Sequence, residues 1–287
     1  MKRKSVTAWL KAFIPRKISN ETVLGTLARA AKIEAGIKRM SFPIPVSRKS
    51  AAVIEKHKVQ NMKILLNGSP ENNGTAIYAE NAYIENQNVW QEVKFGASDM
   101  RYSGCEIIAV YNALRALGEP VSERTVVDLI ALYEQDGAVL GGKFGTSPYA
   151  LEEYFKRNGY DVIMTTGREP SEINRIGERC DTVIVNAYNN RNDITAMIHT
   201  VSITREREGT YSVHNAYYID HKKSGSDKYA SKDGYGTLQE AIDAISKYAP
   251  LSIAVIGISS TRINNTGEGV PCSSRLTSSG NVSKIKI

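Results

Sequence analysis

Tyr102-Ser103-Gly104-Cys105-Glu106-Ile107-Ile108-Ala109-Val110-Tyr111-Asn112-Ala113-Leu114 reads as a turn running into a helix with a cysteine in its first turn. Ser103 and Glu106 have capping-box spacing, which puts Gly104 at N1 and Cys105 at N2. Ile107, Val110, Leu114 and Leu117 recur at helical spacing as one buried stripe, and Gly118 and Pro120 stop the helix. A thiol in the first turn sits among unpaired N–H groups at the positive end of the helix dipole. Both favour thiolate, so a depressed pKa is expected for Cys105. Taken alone, the same cysteine is also a small apolar side chain filling space. The rest of the chain decides between the two.

The chain has 287 residues, 41% hydrophobic and 23% charged, enough for one large domain with appendages. Cys105, Cys180 and Cys272 are widely spaced, which gives neither a disulfide framework nor a zinc pattern and suits a reducing compartment. The net charge of +7 is concentrated in residues 1–60, where only Glu21, Glu34 and Glu55 oppose a long series of Lys and Arg. Basic character therefore belongs to an N-terminal extension and says little about the main domain's ligand. That extension reads as short amphipathic helices, with Asn20 as a cap and Phe42-Pro43-Ile44-Pro45 as an extended break. A solvated or docked extension is the main expectation; contact with an anionic membrane is the alternative, and no nucleic-acid motif is present. The apolar run Val6–Leu10 is too short for a secretory signal, and no segment has transmembrane length, so a cytoplasmic protein is expected.

Three regions follow: a basic extension over 1–60, a main domain over 61–262, and a Ser/Thr/Asn/Gly-rich tail over 263–287 that includes Cys272. Strand candidates are Lys63–Leu66 and Ala76–Tyr78, then Tyr160–Thr166, Thr182–Tyr188 and Leu251–Ile258. Helices are expected over Ser122–Glu134, Tyr149–Asn158, Glu169–Glu178 and from Thr237 to about Tyr248. The loop Gly141-Gly142-Lys143-Phe144-Gly145-Thr146 lacks the ending of a phosphate cradle and reads as a cleft wall.

Ile198–Thr204 and Tyr211–Tyr217 alternate and read as a β-hairpin around Glu206–Gly209. Pairing Val201 with Val213 and Ile203 with Tyr211 matches the apolar faces and puts His199 opposite Asn215. His214 then points to the other face. His57 and His221, among lysines, read as solvated. A cysteine at a helix start, with a histidine and an asparagine facing each other on a hairpin, is what thiol catalysis requires: nucleophile, base, and a group fixing the base's tautomer.

These pieces resemble the papain-like cysteine peptidases, and within them the double-glycine (bacteriocin-processing) peptidase-like branch. Gly104-Cys105-Glu106, Ile198-His199-Thr200-Val201, Val213-His214-Asn215 and Gly145-Thr146-Ser147-Pro148 carry the resemblance over roughly residues 90–260. It implies an α+β papain-like fold, with the nucleophile's helix packed on an antiparallel sheet. The implied reaction is hydrolysis of a peptide or protein substrate by Cys105, with His199 as base and Asn215 as orienter, and without metal or organic cofactor. The family's oxyanion-hole glutamine, six residues before the nucleophile, is Asp99 here. An ionised aspartate repels an oxyanion, which motivates the alternative of a degenerate papain-like module that binds a peptide or protein partner.

Overall fold

The computed structural model describes residues 50–67, 82–142, 145–167, 169–188, 198–216, 233–245 and 254–260. Most of the basic extension, Ala76–Tyr78, His221, Cys272 and the C-terminal tail lie outside them.

Gly104 organises the central helix. Helix α1 spans Ala51–Asn67, strands β1 and β2 are Lys94–Phe95 and Ser98–Asp99, and α2 is Met100–Ser103. Gly104 then breaks the helical path, and α3 runs from Cys105 to Ala116. Cys105 is therefore at N1 rather than N2. Gly104 is the N-cap, which takes Ser103 and Glu106 out of the N-cap and N3 positions of a capping box. A Cβ on Gly104 would lie 2.5 Å from the Met100 carbonyl oxygen, so only glycine lets the two helices abut here. Cys105 through Leu114 are buried on every side, including Glu106 and Asn112, where a single apolar stripe was expected.

Helix α4 (Glu123–Gln135) begins with a reciprocal Ser122–Thr125 capping box, and α5 (Pro148–Arg157) starts on Pro148. Strand β3 (Asp161–Thr165), α6 (Pro170–Arg179), β4 (Thr182–Tyr188), β5 (Ile198–Arg205), β6 (Tyr211–His214), α7 (Leu238–Ile245) and β7 (Ala254–Ser259) complete the chain order. The five-stranded sheet has the order β3-β7-β4-β5-β6, every pairing antiparallel. The fold class is α+β.

The sheet is covered on both faces. Ile184, Ile256 and Ile258 join one core with α3, α4, Trp90 and Phe95. Val183, Val185, Val201, Ile203 and Val213 join a second core with Ile173 and Ile176 of α6 and Leu238 and Ile242 of α7. At about 25 cal/mol per Å² of apolar surface, these two layers are the main source of stability.

Three expectations are corrected. Lys63–Leu66 is helical: it is the last turn of α1, which packs against α4, so the boundary drawn at residue 60 falls inside a helix of the main body. His57 on α1 is not simply solvated, because its Nδ1 lies 2.6 Å from the buried Glu134 carboxylate. The hairpin forms but is shifted by two residues: Ile203 faces Val213 and Arg205 faces Tyr211. The polar face of β5 is buried as well. Thr200, Ser202 and Thr204 lie on the α3 side, and Thr200 accepts a hydrogen bond from the Asn186 side chain.

Candidate functional site

The N-terminus of α3 lies toward the start of β5. Its far end places Arg115 over Tyr83, which stacks on His214, while at its near end the Glu106 carboxylate acts on His199. Cys105 is 7% exposed, and its thiol donates to Glu106 Oε2 at 3.2 Å. That contact matters for reactivity. A helix start favours thiolate, but burial and an adjacent carboxylate oppose it.

His199 is buried at the start of β5, on the strand face shared with Val201 and Ile203. Its Nε2 lies 2.8 Å from the Asn215 carbonyl oxygen. A carbonyl only accepts, so Nε2 carries the proton and the neutral ring has its lone pair on Nδ1. Burial lowers the His199 pKa, opposed by the Asn215 carbonyl and by the Glu106 carboxylate, so the ring is held neutral around pH 7.

Asn215 reaches His199 through its backbone, whereas the hairpin reading assigned that role to its carboxamide. The residue has φ +63°, a left-handed conformation that asparagine tolerates. Its side chain is bonded to Gln87 at both ends: Oδ1 accepts from the Gln87 N–H at 3.0 Å, and Nδ2 donates to Gln87 Oε1 at 3.1 Å. Gln87 Nε2 in turn donates to the Arg101 carbonyl in α2.

The strap from Tyr83 to Trp90, ending in the 3-10 turn Gln87–Trp90, is what holds this arrangement. Asn112 of α3 clamps it, donating to the Ile84 carbonyl at 2.9 Å and accepting from the Ile84 N–H at 2.8 Å. Glu85 accepts from the Asn215 N–H and lies 2.9 Å from His214 Nδ1. His214 is thus fixed between Glu85, Thr204 and the Tyr83 ring.

Asp99 caps α2, its Oδ1 accepting from the Tyr102 N–H at 2.9 Å. Its side chain is therefore committed to the backbone just ahead of Cys105. Gly141 and Gly145 of the glycine-rich loop approach neighbouring segments closely: Ala97 N–H donates to the Gly141 carbonyl, and a Cβ on Gly145 would collide with the Glu106 carboxylate. Gly145 has φ +67°, so both its conformation and the approach of Glu106 require glycine.

Local sequence pattern leaves Glu85, Gln87 and Asn112 unmarked, and marks Glu106 only by its capping-box spacing and its place in Gly104-Cys105-Glu106. One signal was available for Glu106 and Asn112: charged or amide side chains inside an otherwise apolar helix need buried partners. Cys180 differs from Cys105. It packs against Gly257 on the far face of the sheet, and burial pushes its thiol up to about 11.

Among the described residues no group of His, Cys, Asp and Glu has the makings of a metal site, and no helix is long and apolar enough to cross a membrane. The chain matches no family model, no curated protein and no solved structure.

Proposed function

We propose that this chain is a thiol-dependent hydrolase of peptide bonds with a papain-like arrangement. Cys105 supplies the nucleophile, His199 takes its proton on Nδ1 and returns it to the leaving amine, and Asn215 fixes the ring. The observation that carries this reading is the 2.8 Å contact of His199 Nε2 with the Asn215 carbonyl, which leaves Nδ1 as the basic nitrogen in a ring held neutral. Glu106 links the two reacting groups, lying against the Cys105 sulfur and acting on His199. The substrate class is peptide or protein.

Cys105→Ala in the full chain is expected to abolish hydrolysis of a fluorogenic peptide library and labelling by a thiol-reactive epoxide at residue 105. Hydrolysis unchanged in that variant overturns the reading.

A second reading has its own support. Asp99 stands where a neutral donor is required, and its carboxylate is committed to α2. A module that binds a peptide or protein partner in the same cleft without cleaving it needs no oxyanion donor. Peptide binding without turnover, unaffected by Cys105→Ala, selects it.

A further inference from the structure

The Glu106 carboxylate is wholly buried, and its position is tightly specified. Oε2 accepts from the Cys105 thiol at 3.2 Å, and Gly145 closes down on both carboxylate oxygens. Two other titratable groups feel it: His199 from β5 and Tyr133 from α4. Tyr154 of α5 stands behind Tyr133, with ring centroids 6.3 Å apart. A carboxylate in this place favours a proton on sulfur and also favours positive charge on the imidazole. A helix start beside a basic histidine would otherwise favour a resting thiolate.

We propose that Glu106 is a positioning residue that holds Cys105 as the thiol in the resting chain and then serves as counter-ion to His199. It rests on the reading of Cys105 as the reacting thiol. On activation the proton leaves Sγ for His199 Nδ1, the electron pair stays on sulfur, and the carboxylate that had accepted the S–H faces an imidazolium. The site therefore works by base-assisted attack from a neutral pair, with thiolate formed only as the proton moves. Glycine at position 145 leaves the carboxylate its room, since any Cβ there would displace it.

The experiment is the pH dependence of Cys105 alkylation by iodoacetamide, in the full chain carrying Cys180→Ala and Cys272→Ala, with Glu106→Gln and Glu106→Asp compared against that parent. The parent is expected to titrate above the free-thiol value of about 8.5. Glu106→Gln should move the midpoint down by about one pH unit or more, giving roughly tenfold faster alkylation on the acid side. Glu106→Asp should return it toward the parent. A parent midpoint below about 8.5, or a folded Glu106→Gln chain with an unmoved midpoint, overturns the proposal. If Glu106→Gln does not fold, the parent midpoint and the Asp variant decide. Peptide hydrolysis is followed in the same samples. A shifted profile in a chain that cleaves nothing defeats the peptidase reading alone, whereas hydrolysis with an unshifted profile defeats this inference alone.

Discussion

The His199 imidazole meets Asn215 through the main chain: Nε2 stands 2.8 Å from the carbonyl oxygen, while the carboxamide is turned to Gln87. The orienting acceptor is thus a peptide oxygen, positioned by a left-handed residue. Asn215→Gly keeps that conformation and deletes the side chain, whereas Asn215→Ala also adds backbone strain of about 1 kcal/mol or more. The glycine variant is expected to retain more hydrolytic kcat than the alanine variant. Equal loss in both would return the orienting role to the carboxamide.

Burial lowers the His199 pKa below its ordinary 6.5. Between that value and the lowered one, the unfolded chain binds a proton that the folded chain refuses. Stability is then fully present above about pH 6.5 and falls as the pH drops through this window. His199→Gln removes that dependence, so urea midpoints of variant and parent should converge as the pH falls from 7 toward 5. An unchanged difference across that range counts against a neutral buried ring. The acid limb of any kcat/KM profile should lie below pH 6.5 for the same reason.

Cys180 has the opposite sign. Its thiol is raised from 9.0 to about 11, so its contribution is complete below pH 9 and is lost as the pH rises toward 11. The difference corresponds to about 2–3 kcal/mol. Cys180→Ala should flatten the alkaline arm of the stability curve, at the cost of a small cavity beside Gly257. In the folded chain at pH 8, mass spectrometry after iodoacetamide treatment should find Cys180 unmodified.

Asn112 satisfies both backbone groups of Ile84 from inside a buried helix. Asn112→Leu fits the surrounding core in size and polarity, yet leaves one N–H and one carbonyl without partners. A loss of about 2–4 kcal/mol is expected from these two orphaned groups. It should appear as a lower urea midpoint, with early proteolysis within residues 82–91. A neutral effect would show that the strap is held mainly by Gln87 and Glu85.

The pattern of the chain disclosed the elements better than their partners. Thr182–Tyr188 is a strand over the bounds its apolar run implied. Gly236-Thr237 with Glu240 does open α7: the Glu240 N–H donates to Thr237 Oγ1, while the Glu240 carboxylate accepts from the Gly236 N–H one residue before the expected Thr237 N–H. The hairpin register was two residues off because a shift of two keeps every side chain on its face. Period-two alternation is blind to that shift, which only the turn resolves: Glu206 N–H to the Thr210 carbonyl at 2.8 Å lets pairing continue to Arg205 and Tyr211. The polar face of β5 reads as solvent-facing in isolation, and only the packing of α3 upon it explains why those hydroxyls are buried. The long-range amide contacts of Gln87 and Asn112 leave no local periodic trace at all.

The strap has a further consequence. Asn61 clamps both backbone groups of Lys94 just as Asn112 clamps Ile84, and Asn215 clamps Gln87 through one backbone and one side-chain bond. These amides pair with main-chain groups of distant segments as a neighbouring strand would, Asn61 and Asn112 from helices and Asn215 from the end of β6. The lone pair on His199 Nδ1 is therefore a long-range property of the fold. It depends on a carbonyl held by a segment more than a hundred residues earlier in the chain, and peeling that segment away would release the proton to either ring nitrogen.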